Sequence, residues 1–219
     1  MSYNEYNVEQ LDGPRMKVLV ACEYSGTVRD AFTAAGHDAM SCDLLPTESE
    51  GPHYQGDVRD VLDTAWDLVI AHPTCRYLTN SGVRWLHDPR PKFANRWQDL
   101  DEGAAFFKMF LDLEHVPRVA VENPKMHKYA IERIGGVKPT QYVQPYQFGH
   151  TETKQTGLWL KNLPPLIPTH DVEQEMRALA KKDTHKVHYA SPGPDREKQR
   201  SMFFPGIATA MAQQWSNLT

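Results

Sequence analysis

Cys75 is the residue in this chain best suited to covalent chemistry. It follows Pro73 and Thr74 directly after the apolar run WDLVIA, so the strand that run predicts delivers its thiol to a carboxyl end, where a thiolate can act as a nucleophile. A lone cysteine in such a domain is more often a small buried hydrophobe. The second candidate is a pair, Glu122 and Asn123, at the end of AVENP. A carboxylate directly after apolar strand residues must be paired, hydrogen-bonded or functional, because burying it alone is costly. Its structural alternative is to cap a helix beginning near Lys125. Cys22 and Cys42 sit in strand-like surroundings and read as packing residues. Three cysteines with no CxxC or CxxH spacing exclude a disulfide framework and a cysteine zinc site, and the ten histidines are scattered, so no metal is expected. His72, beside Pro73, is read as structural.

A further set of residues suggests a nucleoside. The first apolar run feeds the turn CEYSG; an acid, Asp43, ends the second; another, Asp57, stands in GDVRDV. Backbone amides, a carboxylate for a ribose and a carboxylate near a base are the usual grips on a nucleoside. With one glycine, CEYSGT lacks the G-x-G-x-x-G that a dinucleotide pyrophosphate requires, which disfavours NAD and FAD.

These groups need elements to hold them. MKVLVA reads as a buried strand, Ser25 and Gly26 as a turn, and VRDAFTAAG as a helix stopped by Gly36. HDAMSCDLL is a second strand ending in Asp43. WDLVIA and RVAVEN repeat the pattern on either side of the helical stretch DEGAAFFKMFLDLEH. Near-continuous apolar strands alternating with helices predict an α/β, Rossmann-like fold with a mainly parallel sheet covered on both faces, and ligands beyond the carboxyl ends of the strands. Further on, KPTQYVQPYQFG and TGLWL read as short strands, LPPLIPTH as a connector, and PGIATAMAQQW as a closing helix. At 219 residues the expected organisation is a flexible tail over 1–15 and one domain over 16–219.

A content of 40% hydrophobic and 24% charged residues supports a globular core and rules out wholesale disorder. No apolar run is long enough to span a membrane and the start is polar and acidic, unlike a signal peptide, so a cytoplasmic protein with no membrane partner is expected. The net charge of −4 argues against a uniformly basic nucleic-acid binder, but local patches survive that average. Between 84 and 96, Arg84, Arg90, Lys92 and Arg96 stand against Asp88, interleaved with Trp85 and Phe93 and followed by Trp97. That composition suits phosphate contacts and base stacking, or simply a solvated loop. Residues 177–200 are also basic.

In motif order from about Lys17 to Leu160, the chain resembles the DNA cytosine-5 methyltransferase family, and within it the short phage-type members. ACEYSGTVRDAFTAAGHD resembles the first S-adenosyl-L-methionine (AdoMet) motif, DLVIAHPTC the Pro-Cys catalytic motif, AVENP the Glu-Asn motif and FGHTETKQTGLWL the later basic motif. The resemblance implies AdoMet, or a derivative carrying a larger group, as cofactor. It implies cofactor contacts at Cys22, Glu23, Tyr24, Ser25, Gly26, Asp43, Leu44, Asp57, Val58 and Pro73, with Gly206 and Ile207 a looser echo of the last AdoMet motif. It implies DNA as partner through Arg76, Arg84, Trp85, Arg90, Lys92, Arg96 and Trp97. Catalysis would use Cys75 as the thiolate that adds to carbon 6 of cytosine, Glu122 as the acid at N3, Asn123 to fix the loop, and Lys154 as the basic-motif cation. Thr74 stands where the family has a second proline. Glu152, Lys154 and Thr156 stand where it has a glutamine and two arginines. The recognition region is reduced to about 161–200, which implies a short target sequence and suits a phage modifying its own DNA against restriction. A pyrimidine nucleotide as substrate, or a catalytically silent DNA-binding relative, are the alternatives.

Overall fold

A computed structural model describes residues 13–186, 203–216 and 218. The 1–15 tail therefore falls almost wholly outside the described residues, as does much of the basic run over 177–200.

Four strands form the centre of one sheet, three of them apolar runs and the second mixed: β1 (Lys17–Ala21), β2 (Asp38–Asp43), β4 (Leu68–Ala71) and β5 (Arg118–Pro124). The short β3 (His53–Gln55) lies outside β2, while β6 (Gln141–Val143) and β7 (Thr156–Lys161) lie beyond β5. The order is β3-β2-β1-β4-β5-β7-β6, and all pairings are parallel except those of β7, which runs against both β5 and β6. This is a Rossmann-like sheet of the methyltransferase type. The reversal has a local cause: the connection from β6 to β7 holds only the 3-10 turn Pro145–Gln147 and no crossover helix, and without a crossover neighbouring strands pair antiparallel.

Strand alternation divides the sheet into two cores. Leu19, Ala21, Val69, Ala71, Val119, Val121 and Trp159 face α2 (Arg59–Leu62), α4 (Arg96–Leu111) and α5 (Lys128–Arg133). Val18, Val20, Leu68, Ile70, Ala120 and Leu158 face α1 (Thr27–Ala34) and the last helix, α8 (Pro205–Trp215). Both faces of the central strands are thus dry, as their unbroken apolar runs require. The 76–95 stretch carries α3 (Asn80–Val83) and the 3-10 turn Pro91–Phe93, and α6 (Glu173–Ala178) and α7 (Lys181–Thr184) follow β7. No helix among the described residues is long and apolar enough to cross a membrane.

The chain runs from β1 outward to β2 and β3, then crosses to β4 and β5 on the other side. The carboxyl ends of β1 and β4 therefore flank the topological switch point, where ligands of such sheets bind.

Candidate active site

At the end of β1 the backbone turns sharply: Cys22 takes φ 60, a left-handed conformation uncommon for a residue with a side chain. Its thiol is pushed far above the usual range by burial, then by Asp43, Cys42 and Asp57, so it stays protonated near neutrality. The Glu23 carboxylate accepts the N–H groups of Val28 (2.7 Å) and Arg29 (3.1 Å), capping α1 with the negative charge its dipole favours. That engagement differs from the cofactor contact expected of it. Arg29 is fully buried and ties the segment after β2 to α1, donating to Ser41 Oγ (3.1 Å), Thr47 Oγ1 (3.2 Å) and the Glu50 carbonyl (3.0 Å). Gly26, at φ 76, lies against this guanidinium: a Cβ there would come within 2.1 Å of Ser49 Oγ and 2.5 Å of Arg29 Nη2. Its glycine is explained by that packing.

Asp43 ends β2 half-buried, and burial raises its pKa while the Leu45 amide (2.9 Å) works in the other direction. Beside it Leu44 is 73% exposed, an apolar surface at the mouth of the switch point. Asp57 binds the Arg59 amide (2.9 Å) and guanidinium (2.8 Å), bonds that lower its pKa, so it meets an arginine of its own chain. Val58 is buried in the core, and the Tyr24 carbonyl accepts Glu48 N–H (2.9 Å).

The nucleophile candidate follows β4. Pro73 is buried, Thr74 and Arg76 are exposed, and Cys75 is half-exposed, the burial expected of a reactive thiol. Its loop is braced twice. Gly82 of α3 lies so close that a Cβ would meet the Arg76 carbonyl at 2.1 Å. Thr79 forms a β-bridge with Met126, and the His127 amide donates to Leu78 O (2.8 Å), which joins the Cys75 loop to the segment leaving β5.

That segment carries the carboxylate. β5 continues through Glu122 and Asn123 to Pro124, and His127 caps α5 through its own side chain, so the capping role near Lys125 is filled by another residue. Alternation sends Glu122 and Asn123 to opposite faces. Glu122, 8% exposed, lies on the α1/α8 side, where His72 Nδ1 stands 3.4 Å from its Oε2. Asn123 is fully buried on the α4/α5 side, and both of its amide atoms lack a hydrogen-bond partner among the described residues, so no bond from it to the Cys75 loop is present. Because β7 is reversed, its start lies level with the end of β5, Thr156 opposite Pro124. Lys154 is thereby brought to this end of the sheet, its amide on Gln144 Oε1 (3.1 Å) and its ammonium 6.0 Å from the Phe204 ring centre. Gly206 donates its amide to His150 Nε2 (3.0 Å), while Ile207 is buried in the core.

The basic segment is preorganised. Trp85 and Phe93 stack at 4.8 Å, Arg84 lies 4.2 Å over Trp85, Arg96 5.0 Å over Tyr77, and Arg76 5.6 Å over the same ring. Arg90 holds Asp88 at 2.7 Å and pulls its pKa down to about 2. Lys92 stands over Phe93, and Arg133 over Trp97 at 5.3 Å. Ring faces expected to stack on bases are thus partly covered by the chain's own rings and guanidiniums, leaving a cationic surface beside the Cys75 loop. A cavity of about 260 Å³ lined by Lys108, Val119, Ile134, Trp159 and Lys161 lies toward the amino end of β5, away from these groups.

No protein-family model and no curated protein matches the chain. Among solved structures it is similar to the Entamoeba histolytica methyltransferase EhMeth, at 11% identity over 72% of this chain and 58% of that one, with a TM-score of 0.47. It is also similar to the bifunctional kinase-methyltransferase WbdD, at 11% identity over 70% of this chain and 36% of that one, with a TM-score of 0.39. A complex of WbdD with a kinase inhibitor gives 9% identity, 66% and 36% coverage, and a TM-score of 0.36. The chain thus spans 58% of the length of EhMeth and 36% of that of WbdD. Such likeness concerns the outline of the fold and carries no chemistry to this chain.

Two features of the site, the contact of His72 with Glu122 and the role of Arg29, escaped the sequence reading. His72 was read as structural; what sets it beside Glu122 is the register that pairs Ala71 with Val121, which no local pattern signals. Arg29 was signalled by a charge between Val28 and Phe32 on the apolar face of a helix.

Proposed function

We propose that this protein transfers a methyl group from AdoMet to carbon 5 of cytosine in DNA through a covalent adduct of Cys75. The observation that carries the reading is that a half-exposed thiol and a nearly buried carboxylate stand at the carboxyl ends of neighbouring parallel strands, their loops joined by the Thr79–Met126 bridge. The sheet type supports AdoMet, and so does the donor set beside the switch point. Asp43 is suited to hold the ribose hydroxyls, the exposed Leu44 to cover the adenine, and the backbone of Cys22 to Ser25 with Pro73 to line the remainder; Glu23 and Asp57, engaged within the chain, contribute little. Bound AdoMet supplies an electrophilic methyl group.

The chain's own residues supply the rest. The Cys75 thiolate forms a bond to carbon 6, and Glu122 places a proton on N3, so that the ring's electrons collect at carbon 5. After methylation carbon 5 gives its proton to water, the carbon 6–sulfur bond breaks with its electron pair leaving on Cys75, and N3 returns its proton to Glu122, restoring the aromatic ring. Lys154 adds positive charge at the same end of the sheet. A cytosine within a duplex hides carbon 6, so the target must swing out of the stack, at a cost of a few kcal/mol. The exposed cations Arg76, Arg84 and Lys92 beside the loop, with Arg90 and Arg96 paired to Asp88 and Asp99, support a polymer as substrate. Protection of a phage genome from restriction is the setting that the sequence resemblance implies.

DNA containing 5-fluorocytosine tests this directly, because fluorine cannot leave carbon 5 as a proton does and the adduct is trapped. With AdoMet, a denaturant-stable protein–DNA species is expected, absent in Cys75→Ser, together with 5-methylcytosine in digests of ordinary DNA. Binding of DNA with neither adduct nor product would make the protein a silent DNA-binding relative.

A further inference from the structure

His72 has no task in the reaction just proposed, yet its place is tightly determined. Ala71 and Val121 are paired in parallel register, so the next residues, His72 and Glu122, leave adjacent strands side by side on the α1/α8 face. Their side chains are 11% and 10% exposed, and Nδ1 lies 3.4 Å from Oε2. The imidazole packs on Phe203, ring centres 4.7 Å apart, and Nε2 is buried without a partner among the described residues. A proton on Nε2 would find no acceptor among the described residues and would set the Nδ1 lone pair against a carboxyl oxygen. A proton on Nδ1 removes both faults, since an unsatisfied acceptor is better tolerated than an orphaned N–H.

Resting on the assignment of Cys75 and Glu122 above, we propose that His72 is a positioning residue for Glu122. Its Nδ1–H donates to Oε2 and, by engaging that oxygen, leaves Oε1 to carry the acid proton toward N3. The proton moves from Oε1 to N3 as the Cys75–carbon 6 bond forms, and returns as that bond breaks; His72 keeps its own proton throughout. This is the logic by which a third group orients an acid or base in other active sites.

Two measurements test it. In the full chain labelled with ¹⁵N-histidine, the signal lost in His72→Asn should show protonation at Nδ1, and Glu122→Ala should shift it toward Nε2. A wild-type ring protonated at Nε2 overturns the proposal. In methylation assays His72→Asn, whose amide places a donor near the Nδ1 position, should keep kcat near the wild-type value. His72→Phe should lower kcat up to about 100-fold with little change in KM for DNA. His72→Gln, whose amide reaches the Nε2 position instead, replaces Phe if that variant does not fold. Equal losses in the Asn and Phe or Gln variants, or none in either, overturn the positioning role. If the wild-type protein yields no methylated product, the reaction reading fails, and the ring protonation alone decides whether His72 holds Glu122.

Discussion

Surroundings separate the three thiols: Cys42 is buried, and Cys22, half-exposed like Cys75, lies beside the Asp43 carboxylate. Cys22 is pushed well above the ordinary thiol range by burial and then by Asp43, and Cys42 is pushed up to about 11 by the same two causes in the same order, so both stay protonated near neutrality. Cys75 is half-exposed on its loop. Iodoacetamide at about pH 8 should therefore add one group per folded chain, on Cys75, as read by peptide mass analysis, with the other two reacting only after denaturation. Alkylation of Cys22 or Cys42 in the folded protein would contradict this. The packing role of Cys22 and Cys42 was legible from their apolar surroundings; the left-handed turn at Cys22 was not, because a side chain normally disfavours it.

At the scale of elements, α3 and the 76–79 loop act as one piece, and Gly82 is the contact between them. Gly82→Ala should displace the Arg76 carbonyl, since overpacking costs about 1–3 kcal/mol and the backbone there cannot give way cheaply. We expect a lower Tm together with an altered rate of Cys75 alkylation. Gly103→Ala is the comparison. Its Cβ would meet Leu78 at 3.4 Å within α4, so little change in that rate is expected and helix propensity favours the alanine. An unchanged Cys75 rate in Gly82→Ala would remove Gly82 from the support of the site. The strands ending in Cys75 and Glu122 were readable because their apolar runs are local. The bracing glycine was not, since its partner carbonyl is contributed by a loop with no pattern of its own.

Across the molecule, the segment before β1 and the last helix are fastened together through His37. Met16 donates its amide to His37 Nδ1 (3.2 Å), His37 Nε2 meets Ser216 Oγ at 2.6 Å, and α8 packs on α1 over the second core. Burial, then Arg15, lowers the pKa of His37 from 6.5. A base depressed in the folded state binds more protons when unfolded, so stability is complete above about pH 6.5 and falls as pH drops below it toward the lowered value. The Tm should accordingly decline between about pH 7 and 5, and less so in His37→Gln, measured by thermal melts across that range; an equal decline in both proteins would exclude His37 as a source.

The amino-acid order alone determined what is local: which runs become buried strands, which turns end them, and therefore that Cys75, Glu122 and Asp43 all stand at strand ends. It could not determine which ends meet. That depends on the sheet order, on the pairing of Ala71 with Val121 that sets His72 against Glu122, and on the reversal of β7 that carries Lys154 to the same edge. Hydrophobic period reports burial along a strand, whereas direction and register arise from connections and long-range packing, so only the folded chain could assemble these groups.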